Sequence, residues 1–447
     1  MWRADLPQAV DLLALHRRHP RLFPFLLQSV ASHPQSGRWD ILFAFPEHRL
    51  TLQDGALRST QAGLADAPDF FAALDRWVEA ESPAARDELP FCGGWFFYLG
   101  YEAAQQIEST LRLPRSPFAL PDALAVRCPA AIVHDRERNR SHAITERGAA
   151  QLDEMLALAG ERSGAVAARI SGAAIDEEAP SRYLAGVERI LDYLRAGDVF
   201  QVNLSRRWTA HVDPRCDAAD LYAQLQARNP APFAGLMRWG DAAVISSSPE
   251  RLLRIDGRIA QTRPIAGTRR RGGDASEDES LRATLRENLK ERAEHVMLLD
   301  LERNDLGRVC KPGSIAVDEL MTLESYAHVH HIVSNVRGEL RDGIGPGAAL
   351  RAVFPGGTIT GCPKVRVMQI IAELEREGRG PYTGAFGYLS RDGRLDSNIL
   401  IRSMVWQPGV VSFRAGAGIV ADSQPDAELQ ETRAKARGLL LALDADA

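Results

Sequence analysis

Cysteine is scarce. Cys92, Cys128, Cys216, Cys310 and Cys362 are odd in number, far apart and never in a C-x-x-C pair. Neither a disulfide framework nor a cysteine-ligated zinc site is therefore expected. Long apolar runs are missing too: no stretch approaches the roughly 18 residues that a bilayer span needs. The N-terminal stretch Met1–Arg21 carries Asp5 and Asp11 inside its only apolar part, so it reads as a short amphipathic helix, not a secretory signal. Neither sign of charge dominates, since 54 Lys+Arg face 59 Asp+Glu for a net −5. The basic footprint of a nucleic-acid binder is absent at the whole-chain level, and there is no internal repeat. The expectation is a cytoplasmic protein with neither a membrane nor a nucleic-acid partner.

What is present is ordinary globular material. Of 447 residues, 45% are hydrophobic and 25% charged, enough for a large core. Strand-like runs fall at 39–45, 95–101, 124–133, 200–208, 243–247, 251–255, 383–390, 398–406 and 410–414. Helical patterns fall at 151–158, 276–303, 363–377 and 426–441, and another begins with Ser181 as N-cap and ends at Gly197. The acidic AIDEEAP before Ser181 reads as a connection, dividing the chain into segments 1–175 and 181–443. Strands arrive in groups rather than in βαβ alternation. That favours an α+β fold with largely antiparallel sheets.

Several constellations carry chemistry. Glu291 and Glu294 lie three apart on one predicted helix, and Glu428 and Glu431 repeat the spacing on the last. Four such carboxylates suit a hard cation such as magnesium, or two solvated helix faces. PGGTITGCPK (355–364) lacks the ending of a phosphate loop and is a Gly-rich turn whose free N–H groups attract anions. GAGIVA (416–421) runs into a turn and not a helix, which rules out a dinucleotide fingerprint. In AHVHHIVS, strand alternation sets His328 and His330 on one face and His331 on the other, against a trihistidine metal site. Arg402 is a lone charge in an apolar strand, and Glu250 after Ser-Pro is either a positioned acid or a turn residue.

Taken in order, GDVFQVNLSRR, SSSPERLL, TRPIAGTRRRG, KERAEHVMLLDLERNDLGRV, HVHHIVS, FPGGTITGCPK, RGPYTGAFGY, NILIRSM, GAGIVADS and ELQETRAK resemble the chorismate-utilising enzymes. LLQS (26–29) and GGWFFYLGYE (93–102) resemble the N-terminal region of that family. The resemblance implies two antiparallel sheets packed together and wrapped by helices. It implies that Glu294 and Glu431 hold Mg2+, with Glu291 and Glu428 nearby. It gives one chorismate carboxylate to the metal and the other to Arg402 and Tyr382, with Gly416, Gly418 and Lys435 close by. Glu250 matches the general acid for the 4-hydroxyl, His331 the histidine facing the ring, and Thr358 a substrate contact.

Members that activate water resemble one another in a lysine where this chain has Gln201, which leaves ammonia as the implied nucleophile. FPGGTITG, VHHIVS and the N-terminal QSVASHPQSGRWDILFAFP look like the aminodeoxychorismate branch, implying 4-amino-4-deoxychorismate, the precursor of para-aminobenzoate and folate. That branch typically has a nucleophilic lysine where this chain has Ala266, in the PIAGT of the anthranilate branch, so anthranilate is the alternative. A chorismate-binding regulator without turnover is the non-enzyme alternative. No glutaminase motif is visible, so ammonia is expected from a separate glutamine amidotransferase subunit. LLQS and NPAPF (229–233) replace the LLES and NPSPY of tryptophan-inhibited members, which argues against tryptophan regulation.

Overall fold

The strand Gln201–His211 pairs with Val410–Ile419 over ten residues, from Val202 opposite Ile419 to His211 opposite Val410. Its side chains are buried almost throughout, as expected for a strand interior to a sheet with both faces covered. It belongs to the first of two antiparallel sheets in the computed structural model, which describes residues 1–6, 10–30, 37–161, 170, 172–325 and 329–444. The first sheet has 12 strands and the second 11. Both faces toward each other are apolar: Phe25 and Phe43 of the first meet Phe96 and Phe386 of the second, with Phe25 and Phe96 stacked at 4.1 Å. Burying each such ring contributes roughly 1.5–3 kcal/mol. Helices cover the outer faces, Phe70–Ala80 and Pro346–Val353 on one side and Ala218–Arg228 and Pro425–Ala442 on the other.

The α+β, two-sheet expectation agrees with this architecture. Segments 1–175 and 181–443 both contribute strands to both sheets. Phe25–Gln28 lies beside Phe233–Trp239 in the first, and Gly94–Leu99 lies beside Ala385–Ser390 in the second.

Several local readings differ from the structure. The run 124–133 is two strands, Ala123–Cys128 and Ala130–Asp135, broken at Pro129, where the chain passes from the second sheet to the first. Proline has no N–H for a ladder, which suits it to that break. The run 398–406 is likewise two strands, Leu395–Asn398 and Ser403–Gln407, in different sheets. The pattern 276–303 is two helices, Ala275–Glu287 and Leu289–Gly307, separated at Asn288. Finally, Ala174–Glu177 of AIDEEAP is an edge strand on Gln201–His211, not a connection. The helix Pro180–Arg195 starts with Pro180 inside it and not on a Ser181 cap, because proline's fixed φ suits the first turn. Gly197 follows its end with φ +79°.

Candidate active site

Two sheet-to-sheet crossings sit side by side and create the site. The chain leaves Ala242–Ser248 in the first sheet and enters Arg251–Asp256 in the second through Pro249 and Glu250. Residues 399–402 make the reverse passage. The two crossings bind each other: Ile399 N donates to Glu250 O at 3.0 Å, and Ser247 N donates to Arg402 O at 3.1 Å. Ser248 Oγ ties them further, donating to Ile399 O at 2.6 Å. Side chains on such corners are released from strict alternation and can face the space between the sheets. Arg402 therefore lies at a crossing with φ +52°, and not in an apolar strand as its sequence context suggested.

That space is a cavity of about 1140 Å³. All fourteen residues singled out from the sequence line it: Gln201, Glu250, Ala266, Glu291, Glu294, His331, Thr358, Tyr382, Arg402, Gly416, Gly418, Glu428, Glu431 and Lys435. His328 lies outside the described residues. His330 points away, as alternation requires, and bonds Asp278 at 2.9 Å and Ser325 at 2.7 Å.

Glu250 is only 4% exposed. Burial pushes its carboxyl up to about 8, against the pull of Thr358 Oγ1 at 2.8 Å and Ile265 N at 3.4 Å, which donate to it. At neutral pH it holds its proton, as a general acid must. Thr358 sits in the short turn Gly357–Ile359 and pins the acid in place. His331 is driven the other way: burial first, then Arg402, lowers it to about 4, so its imidazole is neutral at pH 7. Burial raises the Tyr382 phenol to about 12, with Arg379 opposing, and lowers the Arg402 guanidinium from its usual value, with Tyr382 and Glu431 opposing.

The carboxylate pairs face the cavity from two helices. Leu289–Gly307 carries Glu291 and Glu294, and Pro425–Ala442 carries Glu428, Glu431 and Lys435. Glu291 is paired with Arg269 at 2.5 Å and Glu431 with Lys435 at 2.6 Å. Gly267, at φ +71°, lets Glu291 approach, since a Cβ there would lie 2.1 Å from Glu291 Oε2. These all-oxygen donors have the chemistry that magnesium prefers. Among the described residues no three His, Cys, Asp or Glu side chains already converge on one metal position. The donor set fits magnesium on condition that the ion draws the pairs off Arg269 and Lys435 and takes further oxygens from ligand or water. Arg269, Arg270, Arg271, Arg402, Arg414 and Lys435 line the same cavity, a lining that suits an anion.

Sequence reading missed Asn203 and Arg414. Asn203 was legible, because it is two residues from Gln201 and shares its strand face. Arg414 was not: it depends on Glu375 at 3.0 Å, and Glu375 is itself held by Arg379 at 2.6 Å, contacts made only in the fold.

A second cavity, of about 870 Å³, brings LLQS and NPAPF together. Gln28, Ser29, Pro232 and Phe233 line it, while Asn229 and Pro230 line the first cavity. Arg251, next to Glu250, faces it and grips Asp396 at 2.9 and 3.1 Å.

Comparison with known proteins accords with this geometry. The profile of the chorismate binding enzymes matches residues 25–441. An anthranilate synthase component 1 of Thermus thermophilus is 41% identical over 428 residues, covering 94% of this chain and 92% of the relative. An aminodeoxychorismate synthase component 1 of Bacillus subtilis is 37% identical over 452 residues, covering 98% and 94%. The crystal structure of anthranilate synthase component I from Streptococcus pneumoniae superposes with a TM-score of 0.79 at 32% identity, covering 91% of this chain and 93% of that one.

Proposed function

This chain belongs to the chorismate binding enzymes, and we propose that it joins ammonia to chorismate at ring carbon 4, giving 4-amino-4-deoxychorismate and water. The observation that carries the amination is Glu250, a buried carboxyl held protonated at neutral pH on the wall of a cationic cavity. Arg402 and Tyr382 receive one chorismate carboxylate. When bound, magnesium on Glu294 and Glu431, with Glu291 and Glu428 beside them, supplies positive charge to the other. Glu250 gives its proton to the 4-hydroxyl, so the carbon–oxygen bond breaks with its electron pair on oxygen and water leaves. The ammonia lone pair forms the carbon–nitrogen bond, and the surplus proton on nitrogen returns to the Glu250 carboxylate. His331, neutral, faces the ring as a hydrogen-bonding group, and its low pKa keeps a competing positive charge away.

Gln201 supports ammonia over water, since an amide cannot take water's proton. FPGGTITG and VHHIVS support carbon 4. A separate glutamine amidotransferase subunit supplies the ammonia, and the product feeds para-aminobenzoate and folate synthesis. A second reading, anthranilate, water and pyruvate from the same substrates, is favoured by Ala266. That methyl group lines the cavity where a lysine nucleophile would otherwise stand. Chromatography and mass spectrometry of the product formed from chorismate, magnesium and ammonium decide between them. Release of anthranilate and pyruvate overturns the carbon-4 assignment, and unconsumed chorismate overturns both.

A further inference from the structure

A second buried carboxyl stands behind Glu250, and the chemistry above leaves it unused. Glu302 belongs to the helix Leu289–Gly307 and is only 6% exposed. It lies four residues on from Leu298, which lines the catalytic cavity, and so shares that face of the helix. The same two segments hold both carboxyls. The Gly357 N–H and the Thr262 hydroxyl approach Glu302. Thr358 Oγ1 and Ile265 N, close by on those segments, donate to Glu250 at 2.8 and 3.4 Å. Glycine at 357 lets the turn lie flat on the helix: a Cβ there would stand 2.4 Å from Leu301 Cδ2 and 3.4 Å from Glu302 Oε1. Further along the helix, Asp305 accepts from Lys364 Nζ at 2.6 Å, so the helix grips the Gly-rich stretch at both ends.

A strut for the turn would not need a charge, since an amide or an apolar side chain fills the same space without the cost of burying a carboxyl. Two buried carboxyls this close also oppose each other's ionisation, and Glu302 raises Glu250 in this way. Burial lifts Glu302 to about 7, and Glu250 stands at about 8, so Glu302 is the first to give up its proton. Asp305 raises Glu302 and Lys364 lowers it, while Lys435 lowers Glu250. The other charged groups on the surrounding elements are engaged elsewhere. Arg263 pairs with Glu319 and Glu324, Arg269 with Glu291 and Arg351 with Asp69, and His331 is neutral.

We infer that Glu302 is a positioning residue for the acid: its carboxylate, set beside Glu250 by the shared turn and strand, keeps the proton on Glu250. The inference rests on Glu250 being the acid of the reaction proposed above. Its use lies in the conflicting demands of amination. The nucleophile is neutral ammonia, which becomes more abundant as pH rises, whereas a protonated carboxyl becomes scarcer. A negative neighbour that appears just before Glu250 would ionise carries the loaded acid further into the range where ammonia is neutral. Glu302 touches neither reactant and acts only through Glu250.

The test is the pH profile of kcat from pH 6 to 9, at saturating chorismate, magnesium and ammonia, for wild type, Glu302→Gln and Glu302→Asp. Gln keeps the shape and the acceptor for Gly357 but has no charge. Its alkaline limb should move to lower pH by about half a unit or more. The ratio of variant to wild-type kcat should then fall about threefold between pH 6 and pH 9. Asp keeps the charge on a shorter stem and should return the limb toward its wild-type position. If the Gln variant does not fold, Glu302→Leu carries the same comparison. A limb that stays in place overturns the inference, and so does a loss of kcat that is equal at every pH, which would make Glu302 only a strut for the turn. An Asp variant whose limb matches that of Gln overturns it as well. A wild type that leaves chorismate unconsumed, or a Glu250→Gln variant with full kcat, overturns the proposed function and this inference with it.

Discussion

Glu250 is the residue on which chemistry and stability pull in opposite directions. Its ordinary value is 4.5 and burial raises it to about 8 in the folded protein. The folded state thus binds this proton more tightly than the unfolded chain does. Its contribution to stability is full below pH 4.5 and is lost progressively as pH rises toward 8. Glu250→Gln keeps the shape and removes the charge, so the variant should melt a few degrees higher than wild type near pH 8 and show little difference near pH 5. Thermal melts at the two pH values check this. In the same variant kcat should fall roughly 10²–10⁴-fold with chorismate binding nearly intact. A change in KM alone would make Glu250 a positioning group. Activity of the wild type should decline as pH passes about 8, where the acid loses its proton. At Ala266, wild-type protein quenched in turnover should carry no covalent chorismate. Ala266→Lys should acquire such an adduct by intact mass, since a partly desolvated lysine is nucleophilic, while the product stays the same.

At the scale of elements, the two carboxylate-bearing helices act as opposing walls. Glu294→Gln or Glu431→Gln should reduce turnover at least about a hundredfold and shift the magnesium titration to higher concentration, with the circular dichroism spectrum unchanged. Full activity of either variant in a chelator would remove the metal assignment. The helices were readable because their signals are local. Pro425–Ala442 shows a proline in its first turn and acidic residues beside it, and its periodicity placed it at 426–441. The i,i+3 carboxylate spacing was local as well. The crossings were not legible. The segments 124–133 and 398–406 look like continuous apolar strands because both neighbouring sheets bury their residues, and only the third dimension reveals that the chain changes sheet midway. Glu250 shows the same limit: it was read as either a turn residue or a positioned acid, and only the crossing reveals how deeply its carboxyl is buried. Asn288, which splits one long helical pattern into two, left no break in the apolar periodicity to betray it.

At the scale of the whole molecule, neither half of the chain owns a sheet. Before residue 150, five strands enter the first sheet and four the second, and each set is completed only by strands from beyond residue 170. A fragment starting at Ser181 would expose the edges of Phe233–Trp239 and Ala385–Ser390, now covered by Phe25–Gln28 and Gly94–Leu99. It should accumulate as insoluble protein, and co-expression with the N-terminal segment should restore solubility, both read by fractionating lysates. The same interleaving sets a clock during synthesis. Phe25–Gln28 leaves the ribosome about 200 residues ahead of its partner strand, a wait of roughly 10–40 s at about 5–20 residues per second. Gly94–Leu99 waits longer still for Ala385–Ser390. Throughout that interval one edge of each strand has no neighbour, while Trp39–Ala44 and Ala123–Cys128 cover the other. The chain's yield in a cell is therefore governed by whether something shelters those edges until the C-terminal half arrives.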